Sequence, residues 1–190
     1  MSFLIYPQKF DACHLHFGPA IPNQNPNSTA DTTLSKFSRV VYSTSCISLN
    51  GVGFALHLNG AIHDQPPHFN KLFVSYDVAH PANAALISQL HSIECALLNK
   101  YMHSVVGDAR RCICSIWDSL SSGRIKAYTK QWDDCTDLQM DCTGSSAAAA
   151  GSISIMDDNG FNDNKQIMLK IFGVWETQTE CGVTYKFMKL

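Results

Sequence analysis

Two hydrophobic periods organise this chain. A period of two, the mark of a strand with one buried face, runs through Val52, Phe54, Leu56 and Leu58, which would share a core face. Short β-branched and aromatic runs at 37–44, 46–49 and 72–76 predict further strands, as do 166–176 and 182–190 near the C-terminus. Asn50-Gly51 lies between two of these runs and predicts a type I′ hairpin joining 46–49 to 52–58. Gln178 to Gly182 lies between the last two and predicts a terminal hairpin. The helical period appears twice. Leu86, Leu90, Ile93, Leu97 and Tyr101 recur at spacings of three and four, predicting an amphipathic helix from Pro81 to near His103, with proline in its first turn. Ile113, Ile116, Trp117 and Leu120 predict a shorter helix, with Gly123 where a C-terminal stop belongs. Strands outnumber helices and are short. The expected class is α+β: a β-rich small barrel (OB-like) or sandwich with one long and one short packed helix.

The polar segments divide this pattern without splitting it. The stretch at 21–35 is rich in Pro, Asn, Ser and Thr, and 133–152 contains Gly144-Ser-Ser-Ala-Ala-Ala-Ala-Gly-Ser152, which has nothing to fix it to a core. Both are expected to be mobile loops in a single domain spanning 1–190.

One predicted strand has the wrong kind of polar face for an ordinary sheet. In Arg124-Ile-Lys-Ala-Tyr-Thr-Lys-Gln-Trp132, alternation places Arg124, Lys126, Tyr128, Lys130 and Trp132 together and Ile125 and Ala127 opposite. Cations that meet phosphates, interleaved with rings on which bases stack, suit a single-stranded nucleic acid. An edge strand guarded by lysines is the competing explanation, and exposed Tyr and Trp argue against it. Arg110 and Arg111 are candidate neighbours. Lys170, Phe172, Tyr185 and Lys186 in the terminal hairpin would extend the surface, as would Trp175 if it faced outward. Alternation there separates Lys170 and Phe172 from Leu169, Ile171 and Trp175, and pairs Tyr185 with Phe187 against Lys186 with Met188. Trp175 and Phe187 are expected in the core.

Composition narrows the function from the other side. The chain is 45% hydrophobic and 16% charged, so it folds around a core. Its formal net charge of −2 counts against nucleic-acid binding. The charge is unevenly placed, however: Arg110, Arg111, Arg124, Lys126 and Lys130 precede Asp133, Asp134, Asp137 and Asp141, and one basic groove is compatible with a neutral whole. No secretory signal and no membrane-length apolar run is present, so an intracellular protein with no membrane partner and reduced thiols is expected. Of the eight cysteines, Cys46, Cys95 and Cys112 are expected as small core residues, and Cys135 and Cys142 in a polar loop. Cys13-His14-Leu15-His16 and Cys112-Ile113-Cys114 contain soft ligands, but neither has a second pair at a zinc-knuckle spacing. Walker, His-Glu-x-x-His and Gly-x-Ser-x-Gly motifs are absent. No catalytic residue, metal or cofactor is assigned, and a non-enzyme is expected.

Lys170-Ile-Phe-Gly-Val-Trp-Glu-Thr177, followed by Cys181-Gly-Val-Thr-Tyr-Lys-Phe187, resembles the closing strands of single-stranded-DNA-binding proteins of large DNA viruses, and Ser119-Leu-Ser-Ser-Gly-Arg-Ile-Lys-Ala-Tyr128 is similar in style to their sheet segments. The resemblance implies an OB-like barrel that coats displaced strands at viral replication sites, with Lys170, Trp175, Tyr185 and Lys186 near the strand. The expected function is thus sequence-tolerant single-stranded DNA binding in replication or genome maintenance, with RNA and a homo-oligomer left open. The alternative is a structural or virion protein that self-associates without catalytic activity.

Overall fold

The computed structural model describes residues 4–22, 35–64, 71–106, 110–128 and 167–190. Its spine is a long antiparallel hairpin, β10 (Ile167–Glu176) against β11 (Glu180–Lys189). Each outer edge of this hairpin carries two strands end to end. On the β10 side, β3 (Lys36–Ser43) pairs with 173–176 and β5 (Val52–Leu56) with 167–171. On the β11 side, β8 (Arg111–Ile113) and β9 (Arg124–Tyr128) both run parallel to it, at 180–182 and 187–188. Beyond β9 lie β7 (Lys71–Ser75) and β6 (Ile62–Asp64); beyond β3 lie β1 (Leu15–Phe17), β2 (Ile21–Pro22) and β4 (Ser48–Asn50). The result is an α+β protein with one large mixed sheet, whose path runs from β1 to β6 without closing among the described residues.

Among the described residues two α-helices complete it: α1 (Pro81–Tyr101) and α2 (Ser115–Ser121). The three-and-four spacing works as expected in α1, which buries Ile87, Leu90, Ile93, Leu97, Leu98 and Tyr101 in one cluster with Val52, Phe54, Leu56, Leu169 and Phe187 from the sheet. Its start is held by buried Asn83, whose side chain donates to the Asn59 and Asp77 carbonyls at 3.0 and 2.8 Å and accepts from the Asn59 N–H at 2.8 Å. The buried Glu94 carboxylate joins the helices by accepting the Ile116 and Trp117 N–H groups, both at 3.0 Å. These are orphan donors of the first turn of α2, which has no side-chain cap of its own.

Four local expectations are corrected. Asn50-Gly51 does not close a hairpin: β4 pairs with β3, and β5 pairs with β10. Gly51 has φ +78° and donates to the Val40 carbonyl at 2.8 Å, so the chain turns sharply there from one neighbour to another. Ile21 and Pro22, read as loop, form β2. Trp117 is exposed rather than core and lies against His91, ring centroids 4.6 Å apart. Cys46 and Cys112 are exposed and Cys95 half-buried, whereas Cys181 is the buried thiol among the described residues.

A bulge in β10 reorders the faces of the terminal hairpin. Ile171 pairs with Tyr185 and Gly173 with Thr184, leaving Phe172 as the extra residue. Beyond it the parity flips, so Trp175 joins the face of Lys170 and Lys186 instead of the core. Gly173 and Gly182 make room for rings on that face: a methyl at Gly173 would strike the Phe37 ring and come within 2.5 Å of the Ser38 carbonyl oxygen, and one at Gly182 would meet the Trp175 ring at 2.7 Å. A backbone oxygen cannot swing aside as a side chain can. Gly173→Ala is therefore expected to lower stability by about 1–3 kcal/mol, read from the urea midpoint.

Candidate nucleic-acid interface

Strand alternation places Ile125 and Ala127 in the core and turns Arg124, Lys126 and Tyr128 outward, as their spacing predicts. The neighbouring strands contribute like residues in register: Lys71 pairs with Tyr128, Phe73 with Lys126, and Lys170 with Lys186. Cations and rings then alternate across three strands. Lys126 Nζ lies 5.9 Å from the Tyr128 ring centroid, and Lys186 Nζ lies 5.7 Å from the same ring. Lys186 is 6.0 Å and Lys170 5.0 Å from the Phe172 ring. On the β7 side the Arg124 guanidinium sits 4.8 Å over Phe73. The two ion pairs among the described residues use none of Arg124, Lys126 and Lys186.

This face borders an opening in the sheet. β11 is paired by β8 at 180–182 and by β9 at 187–188, and no ladder pair covers 183–186 on that edge among the described residues. The connection between β8 and β9 is α2, which cannot continue a strand, and the gap is the space it leaves. A crevice of about 670 Å³ lies here, lined from β9 by Arg124, Lys126 and Tyr128 and from the hairpin by Trp175, Tyr185 and Lys186, with Ser119 of α2. The Tyr185 hydroxyl donates to the Ser115 carbonyl at 2.8 Å and lies 2.6 Å from the Ser119 hydroxyl. Burial pushes its pKa up, so it stays neutral.

The remaining candidates fall elsewhere. Arg110 is ion-paired with buried Glu176, beside Tyr101, whose hydroxyl is 2.9 Å from that of buried Ser38. An arginine held in this way is committed to the fold. Arg111 is exposed, 3.8 Å from Glu180, at the far end of β11. The six-residue offset from Lys186 corresponds to about 20 Å along a strand. Tyr185 lies on the core side of β11 with Phe187, so it enters the site through the crevice and not from the outer face. Lys130 and Trp132 lie outside the described residues, as do 23–34 and 133–152. One contributor was missed: Phe73, legible as the outward residue between buried Leu72 and Val74. Trp175, expected in the core from alternation and near the strand from the viral resemblance, is turned outward by the bulge, which shifts parity without a marker in the sequence.

Among the described residues neither Cys13-His14-Leu15-His16 nor Cys112-Ile113-Cys114 gathers three metal ligands within its own motif. Cys112 Sγ is 3.8 Å from Cys181 Sγ, whereas Cys114 Sγ is 3.9 Å from Cys95 Sγ. No helix among the described residues is long and apolar enough to cross a membrane. No family model, curated protein or solved structure matches the chain.

Proposed function

We propose that this protein binds single-stranded nucleic acid, DNA in the first instance, with little sequence preference and without catalysing a reaction. The observation that carries this is the uninterrupted run Lys126–Tyr128–Lys186–Phe172–Lys170 across β9, β11 and β10. Phosphates would meet the cations, and bases would stack on Tyr128 and Phe172 or enter the crevice beside Trp175. An intracellular role in coating displaced strands, as the viral resemblance implies, belongs to the same proposal. So does an OB-like arrangement of the sheet, supported by a bulged central hairpin that serves two sets of flanking strands.

The test is fluorescence anisotropy with labelled oligo-dT. If Arg124, Lys126, Lys170 and Lys186 each neutralise one phosphate, the slope of log K against log salt is about −2.8, a loss of about fiftyfold between 50 and 200 mM salt. Absence of binding at 50 mM salt overturns the proposal. One observation favours the self-associating alternative: Ile62 is 72% exposed on β6, the last strand of the sheet path. Assemblies in size-exclusion chromatography that are indifferent to oligonucleotide would support that alternative.

A further inference from the structure

Independently of nucleic-acid binding, we propose that His91, Cys95 and Cys114 form a site for a thiophilic divalent ion, zinc, joining α1 to the turn that begins α2. The ligand atoms of these residues all lie within 4.8 Å of one another. His91 and Cys95 are four residues apart on α1 and so share a face, while Cys114 directly precedes α2. With zinc–sulfur bonds near 2.3 Å, two thiolates of a tetrahedral site stand about 3.8 Å apart. Cys95 and Cys114 Sγ are separated by 3.9 Å, and both His91 ring nitrogens lie 3.8–3.9 Å from Cys95 Sγ. A disulfide requires about 2.05 Å, so the thiols stand at the spacing of co-ligands rather than bonded partners.

The surroundings suit an ion. All three residues are half-buried, which shields the site while leaving a way in. The Trp117 ring packs on the His91 imidazole and restricts its orientation. Glu94, beside Cys95, spends both carboxylate oxygens on α2 N–H groups, so the two helices are already held in the geometry that an ion would cross-link. Two thiolates and an imidazole favour zinc over magnesium or calcium. Three protein ligands leave a fourth position for water or an exogenous donor. The Cys112–Cys181 pair belongs to no such group of three among the described residues.

Cobalt reports this ligand set directly. The full chain, reduced with a phosphine and freed of chelator, is titrated with Co2+ under anaerobic conditions. The expected result is saturation at one equivalent, a thiolate-to-cobalt charge-transfer absorption with intense visible bands of tetrahedral coordination, and bleaching by one equivalent of Zn2+. Cys95→Ser with Cys114→Ser should remove the charge-transfer band. His91→Gln should weaken binding at least about tenfold. Cys13→Ser with Cys46→Ser, at exposed positions, should change neither. Absence of the band in the wild-type chain, or a band that survives the Cys95/Cys114 double substitution, overturns the site. Alkylation of the wild-type protein covers variants that fail to fold. Zn2+ should protect Cys95 and Cys114 from iodoacetamide while Cys13 and Cys46 react as before, and equal alkylation of Cys95 and Cys114 with and without zinc also overturns the site.

Discussion

Lys126→Glu combined with Lys186→Glu is expected to weaken oligo-dT binding by about 100-fold at 50 mM salt and to leave the fold intact. Each phosphate contact to a single strand contributes about 0.7 to the salt slope, equivalent to roughly eightfold in affinity at 50 mM salt. Losing two contacts accounts for most of the effect, and the two new carboxylates repel the backbone. The salt slope should fall in step, from about −2.8 to about −1.4. Both side chains are exposed, so the urea midpoint should move little: surface substitutions usually stay within about 0.5 kcal/mol. Tyr128→Ala separates the two halves of the interface. Loss of one stacking platform costs about 1–3 kcal/mol of binding and leaves the salt slope unchanged, because the ring carries no charge. A double reversal that binds like wild type would place the strand elsewhere on the molecule.

Glu94→Ala is expected to cost about 3 kcal/mol of folding stability, measured by urea unfolding with chelator present to exclude any contribution from metal. The carboxylate is fully buried and accepts two N–H groups from the first turn of α2. Charge-assisted bonds of this kind contribute about 1.5–3 kcal/mol each, and their loss leaves buried donors without partners. Glu94→Gln should cost less than Glu94→Ala, since its single carbonyl oxygen still serves one of the two donors. Ser119 on α2 lines the crevice and holds the Tyr185 hydroxyl, so loosening of α2 in Glu94→Ala should also weaken oligonucleotide binding modestly.

Much of this was legible in the chain. Helix α1 follows from the spacing of Leu90, Ile93, Leu97 and Tyr101, and Gly123, with φ +70°, follows α2 as its position predicts. The outward face of β9 follows from alternation alone. Three features were not legible, each because it depends on a partner distant in sequence. Asn50-Gly51 carries a local hairpin signal, but β5 finds a longer partner in β10, and non-local pairing overrides the turn. Trp175 reads as core until the Phe172 bulge reverses its parity. His91 and Cys95 stand four apart on a helix, a spacing visible in the sequence, yet their third companion lies nineteen residues beyond Cys95 and is brought near by the docking of α2 on α1, through shared core residues and the Glu94 bonds.

The sequence by itself determined which residues can form strands and helices and which face of each is apolar, because side-chain period is a local property of the backbone. It also determined that Arg124, Lys126 and Tyr128 share an outward face. Only the tertiary structure decided what stands beside them. Register with β7, β10 and β11 brought in Phe73, Phe172, Lys170 and Lys186, while the ion pair with Glu176 took Arg110 away. Insertion of α2 between β8 and β9 opened the crevice along 183–186. The physical reason is common to all of these: strand pairing and helix docking are chosen by burial and hydrogen-bond satisfaction summed over the whole chain, and no local window contains that sum.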